Sequence, residues 1–214
     1  MSKKCALHNE LGHLLNEDLD FYGNIFREEL FFVDDETEIE ELIIMTYASY
    51  KIRIFAFLID YLVIVIYGIF VVGTISIIFR SYINPLFLSS PVTAELTGFL
   101  MMTFPVSLYF ILFESSKWQG TLGKRKMGIR VVNSVGQRIG IGRSAFRTAI
   151  KFLPWEVAHF GLWRLLLPTD LTVITVYVIL TAVNLAIIIY LTIPLTNKKR
   201  KNVYDWIAGT EVVR

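Results

Sequence analysis

Apolar residues in this chain are gathered into blocks rather than spaced every third or fourth position. Three blocks, Ile54 to Phe79, Leu96 to Phe113 and Leu171 to Pro194, are nearly free of charge. A hydrocarbon core about 30 Å thick takes around 20 residues of helix, so each block predicts a membrane-spanning helix. A fourth stretch, Ala145 to Leu167, has the length but not the purity: it carries Arg147, Lys151, Glu156, His159 and Arg164, with Pro154 in its middle. The whole chain is 214 residues, 54% hydrophobic, with a mean hydropathy of +0.54. These values belong to an integral membrane protein.

Charge decides the side on which each connection lies. Residues 1 to 45 hold 12 acidic and 3 basic side chains, and residues 46 to 214 hold 18 basic and 7 acidic. Loops rich in Lys and Arg stay in the cytoplasm. The segment from Glu114 to Lys151, with nine basic residues against one acid, is therefore expected there, as is the tail after Lys198-Lys-Arg-Lys. Two cytoplasmic segments flanking one apolar block require a further crossing between them, and only Ala145 to Leu167 can supply it. The expected architecture is all-α: four transmembrane helices, the third polar and Pro-kinked, in a cell membrane with both termini cytoplasmic. The competing reading of that third stretch is a basic amphipathic helix, Arg143 to Leu153, lying on the inner surface and broken at Pro154.

The basic loop carries strand signals. Met127 to Val132 and Gln137 to Ile141 flank the turn residues Asn133, Ser134, Val135 and Gly136, predicting a small hairpin under the membrane. Ahead of it, Gly120-Thr-Leu-Gly precedes Lys124 and Arg125, but the glycine-to-lysine spacing is wrong for a phosphate-cradling loop. Contact with anionic lipid headgroups is the plainer expectation, and nucleic acid is not an expected partner. The acidic N-terminal segment, residues 1 to 49, shows no leader peptide pattern and is expected to be retained as a partly folded cap. A helix is predicted to start near Glu38, behind Thr37 and Glu40 at capping-box spacing. Its charge suits docking on the basic loop or on a protein partner. The single Cys5 forms no intramolecular disulfide.

Asp60 stands out chemically. It is the one charged residue from Ile54 to Phe79, and a carboxylate at membrane depth costs about 2.5–3.5 kcal/mol unless it has a partner or a use. One reading is a polar clamp, satisfied from a neighbouring helix through Asn184, Thr148 or Lys151. The other is a site that exchanges a proton or small cation. Glu156 and His159, three apart on one helix, could share a proton, or could mark an interfacial band with Trp155 and Trp163. No His or Cys cluster has metal-ligand spacing, no cofactor motif is present and no nucleophile arrangement suggests an enzyme.

Arg53, Asp60, Gly120-Thr-Leu-Gly123-Lys124-Arg, Val131-Val-Asn-Ser-Val-Gly, Arg147 and Asp205-Trp-Ile-Ala-Gly-Thr-Glu-Val-Val together resemble the RDD family of membrane proteins. The resemblance covers residues 50 to 214. It places the family's one arginine and two aspartates on Arg53, Asp60 and Asp205, and implies cation/proton antiport as an activity attributed to some members. Where the family often has His-Asp, this chain has Tyr204-Asp205. Two functions follow as expectations. One is a secondary transporter exchanging a small cation for protons through Asp60, Glu156 and His159, with a homodimer supplying walls that four short helices lack. The other is a non-transporting scaffold or regulatory subunit of a partner complex. Asp205 is expected to pair with basic residues of the loop and to matter for assembly.

Overall fold

The computed structural model describes residues 47–214. The acidic segment, its expected helix near Glu38 and its docking on the basic loop lie outside the described residues. The first helix, α1, runs Tyr50–Ile78 and is capped by the Ser49 hydroxyl. A short helix α2, Arg80–Ser89, follows, and α3 spans Pro91–Ser115 behind an N-cap at Ser90. After a turn come α4, Leu122–Lys126, and strand β1, Arg130–Asn133. Helix α5, Ile141–Leu166, and helix α6, Val173–Thr196, form the second half. The chain closes with α7, Val203–Ala208, and strand β2, Thr210–Val213.

Among the described residues three helices, α1, α3 and α6, are long and apolar enough to cross a membrane. Their large side chains explain why: Phe55, Leu58, Leu62, Ile66, Ile77 and Ile188 stay exposed in the isolated chain, a pattern that lipid satisfies and water does not. Both α1 and α3 widen into π-helical turns, Gly68–Gly73 and Phe99–Thr103, which face each other. There the Tyr67 hydroxyl donates to the Met101 carbonyl at 2.8 Å, using a backbone acceptor that the widened turn leaves available.

Helix α5 is continuous through Pro154, so the reading that breaks it there is corrected. Its neighbours hold it: it packs on α3 and α6 along its length and on α7 near its start. Gly161 lets α6 approach, since a Cβ there would lie 2.7 Å from Leu180, and Tyr190 of α6 donates to the Ile150 carbonyl at 3.0 Å. Two ion pairs join α5 to α3, Arg147–Glu114 at 2.6 Å and Arg164–Glu95 at 2.9 Å. The helices are thus antiparallel and in register over 19 residues of α3, about 28 Å at 1.5 Å per residue.

The sheet departs from the expected hairpin. β1 pairs antiparallel with β2, Val131 opposite Val212 and Asn133 opposite Thr210, while Gln137 to Ile141 contributes only a bridge from Arg138 to Val132. The turn itself forms, with the Asn133 side chain accepting from the Val135 and Gln137 amides. Burial explains why the pairing with β2 is the longer one. All four residues of β2 are buried, and Val212 joins Ala48, Ala56, Ile129, Val131 and Ile139 in one apolar cluster beneath α1, whereas the local arm offers Ile139 alone. Ile139→Ala is expected to cost about 2–5 kcal/mol by emptying that cluster. A lowered midpoint of thermal unfolding in detergent checks this; an unchanged midpoint would place the sheet outside the cooperative unit.

Candidate functional site

Polar side chains from six elements meet where the sheet joins the helices. Arg147, 1% exposed, is the centre. Its Nη1 donates to Glu114 at 2.6 Å, its Nη2 to Asp205 at 2.8 Å, and its Nε to both Asp205 and the Thr210 hydroxyl, at 3.0 and 3.2 Å. Glu114 also takes Lys124, and both carboxylates are wholly buried. Local rules put Asp205 there. Asn202 caps α7 and Asp205 returns the bond to the Asn202 amide, a capping box; Gly209, with φ +61, turns the chain into β2 so that Thr210 reaches the same carboxylate at 3.0 Å.

Arg53 reaches the cluster from α1. Its Nη1 lies 3.7 Å from Asp205, and it donates to the carbonyls of Ala48 and Val212 at 3.0 and 3.1 Å. Tyr204 lies beneath the Arg147 guanidinium, 4.8 Å from its ring centroid. Burial, helped by Asp205, pushes the Tyr204 phenol above its ordinary range, so the ring stays neutral against Arg147. Lys124 is also perturbed: burial lowers its ammonium despite Glu114 beside it.

Asp60, 2% exposed, belongs to a separate knot about two turns deeper along α1 than Arg53. It accepts from the Tyr109 hydroxyl at 2.8 Å, the Thr121 hydroxyl at 2.5 Å and the Gly123 amide at 2.8 Å. Tyr109 in turn accepts from the Leu122 amide at 2.9 Å. The Gly120-Thr-Leu-Gly segment is therefore a docking turn for α1, with the donors of Thr121 and Gly123 facing inward. Gly123 admits no side chain: a Cβ would overlap the Ala56 carbonyl oxygen and lie 2.9 Å from the Asp60 carboxyl carbon. Gly120 is tight as well: a Cβ there would lie 3.2 Å from the Ile129 carbonyl oxygen.

The expected partners of Asp60 are corrected. Asn184 bonds its own helix at the Leu180 carbonyl, Thr148 has a buried hydroxyl without a partner, and Lys151 lies over the Phe110 ring. Glu156 and His159 share no hydrogen bond: the His159 Nδ1 meets the Trp155 carbonyl at 2.9 Å, and Glu156 Oε1 is buried without a partner. Neither residue lines the cavity on which Asp60 borders. Sequence reasoning missed Glu114, Tyr109, Thr121 and Thr210. Glu114 had a signal, as the sole acid of a basic loop, whereas hydroxyl donors carry none.

The fold, a few long apolar helices over a small polar platform, defines a membrane protein. Residues 47–209 match the RDD family, and the chain belongs to that family. It is 30% identical over 123 residues to the uncharacterized protein YxaI of Bacillus subtilis (strain 168), covering 53% of this chain and 82% of the relative. No solved structure matches.

Arg147→Met is expected to destabilise the protein by about 3–5 kcal/mol, because it strands Glu114 and Asp205 as buried charges. Adding Glu114→Gln should cost less than the two single changes combined, which thermal unfolding of the three variants measures. Gly123→Ala is expected to lower the unfolding midpoint further than Gly142→Ala, whose added Cβ meets nothing.

Proposed function

We propose that this chain is a four-crossing membrane scaffold whose basic, sheet-bearing end lies in the cytoplasm and presents a surface for a partner complex. One observation carries the reading: each of the three carboxylates, Asp60, Glu114 and Asp205, is held by several donors of the protein itself. Such an arrangement suits a lock more than a carrier, whose carboxylate must change partners in every cycle.

The fourth crossing is α5. Support comes from its ion pairs to α3, separated by about 28 Å along a helix that is itself apolar enough to span. An α5 lying flat on the surface could not make both. The polarity that keeps α5 from reading as a span is largely turned toward α3 and the platform. With α5 crossing, both basic segments share one side, in keeping with the rule for Lys and Arg.

Cation/proton exchange is the second reading, favoured by the buried, partnerless Glu156 Oε1 on the face that carries His159. A homodimer would then complete the walls of a path. Purified protein in liposomes under a pH gradient separates the two. The scaffold expects no cation-dependent proton flux, whereas flux abolished in folded Asp60→Asn or Glu156→Gln establishes transport. Topology has its own check, in a Cys5→Ser background: Asp170→Cys should label only from outside the cell and Val135→Cys only from within. Labelling of both from one side would remove α5 as a crossing.

A further inference from the structure

We propose that the cavity between α1, α3, α4 and α5 binds a small anion, of halide or phosphate-group chemistry, on Lys151. The cavity has a volume of 80 Å³. Its wall carries Arg53 and Asp60 from α1, Lys124 from α4 and Arg147 and Lys151 from α5. That is four cations facing one carboxylate. Glu114 and Asp205, which compensate Arg147, are not part of the wall, and the oxygens of Asp60 already accept from Tyr109, Thr121 and Gly123.

Three of the four cations have acceptors. Arg53 uses backbone carbonyls and Asp205, Lys124 uses Glu114, and Arg147 uses Glu114 and Asp205. Lys151 has neither a hydrogen-bond acceptor nor an ion-pair partner among the described residues; its ammonium rests 3.3 Å from the centroid of the Phe110 ring. A ring face attracts an ammonium but accepts none of its three protons in the way an oxygen does. Across the cluster, Arg53, Lys124, Arg147 and Lys151 exceed Asp60, Glu114 and Asp205 by one positive charge, and Lys151 is half-buried, so that excess is partly withdrawn from water at a cost in free energy. An anion beside Lys151 supplies both the acceptor and the missing charge. A cation is the wrong occupant, because four positive groups repel it. Size narrows the class: the cavity exceeds the about 10–15 Å³ that one water needs, so a halide with water or a single phosphate group fits, and a nucleotide does not. The site is independent of whether the chain transports.

Chloride-35 NMR line widths of the full chain in neutral detergent test the proposal, with wild type compared with Lys151→Met and Lys151→Arg at constant ionic strength. Wild type and Lys151→Arg are expected to broaden the chloride line several-fold more than Lys151→Met, and inorganic phosphate should remove the excess. Lys151→Met should fold at least as firmly as wild type without chloride, because it deletes an uncompensated charge. A second arm identifies the source: excess broadening that persists in phosphatidylcholine nanodiscs but vanishes in phosphatidylglycerol ones assigns the site to an anionic lipid headgroup, while persistence in both assigns it to a free anion. Equal broadening by all three proteins, or none by wild type, overturns the proposal.

Discussion

Arg147 held between Glu114 and Asp205 is the constraint on which the rest of this structure rests. A guanidinium removed from water is tolerated only with its charge matched and its N–H groups accepted, and here the two carboxylates and Thr210 do both. Because these partners come from the end of α3, the start of α7 and the first residue of β2, satisfying one side chain fixes where those elements meet. Arg53 extends the same condition to α1 through Asp205 and the Val212 carbonyl. The apolar surfaces of these helices would pack in many ways in lipid, where burial supplies little preference between them. The ion cluster supplies that preference.

Asp60 works by the same logic with weaker parts. Two hydroxyls and one amide accomplish what an arginine does nearby, and the amide can approach only because residue 123 has no side chain. The family's arginine and two aspartates therefore do not form one triad. Arg53 and Asp205 meet across the platform, while Asp60 anchors the turn after α3 to the first helix.

The spans were legible because lipid imposes a simple requirement, a long apolar helix, that composition displays directly. Asp60 was legible for the same reason, as a violation of that requirement. What holds it was not, since a tyrosine, a threonine and a peptide N–H have many ordinary uses and no pattern links residues 60, 109, 121 and 123. Glu114 sits among nine basic residues and so looks like a solvated acid, whereas it is wholly buried. The strand pairing failed in a different way. A turn at Asn133 to Gly136 favours the adjacent segment as partner, and the turn does form, but that segment keeps only a bridge to Val132 while the more apolar β2 pairs along the whole of β1. Local signals describe the turn; burial of Val212 decides the sheet. Glu156 and His159 share one helix, yet spacing alone could not show that their side chains find no common bond.

Asp205 lies 58 residues after Arg147 in the chain, so ribosomal synthesis delivers the guanidinium well before its second carboxylate. Through that interval the nascent protein carries Arg147 with Glu114 as its sole anionic ligand, and β1 has an open edge. The platform therefore shuts last, when α7 and β2 emerge and dock as a clasp. Until then the half-made molecule displays an unpaired strand edge and an arginine short of its second carboxylate.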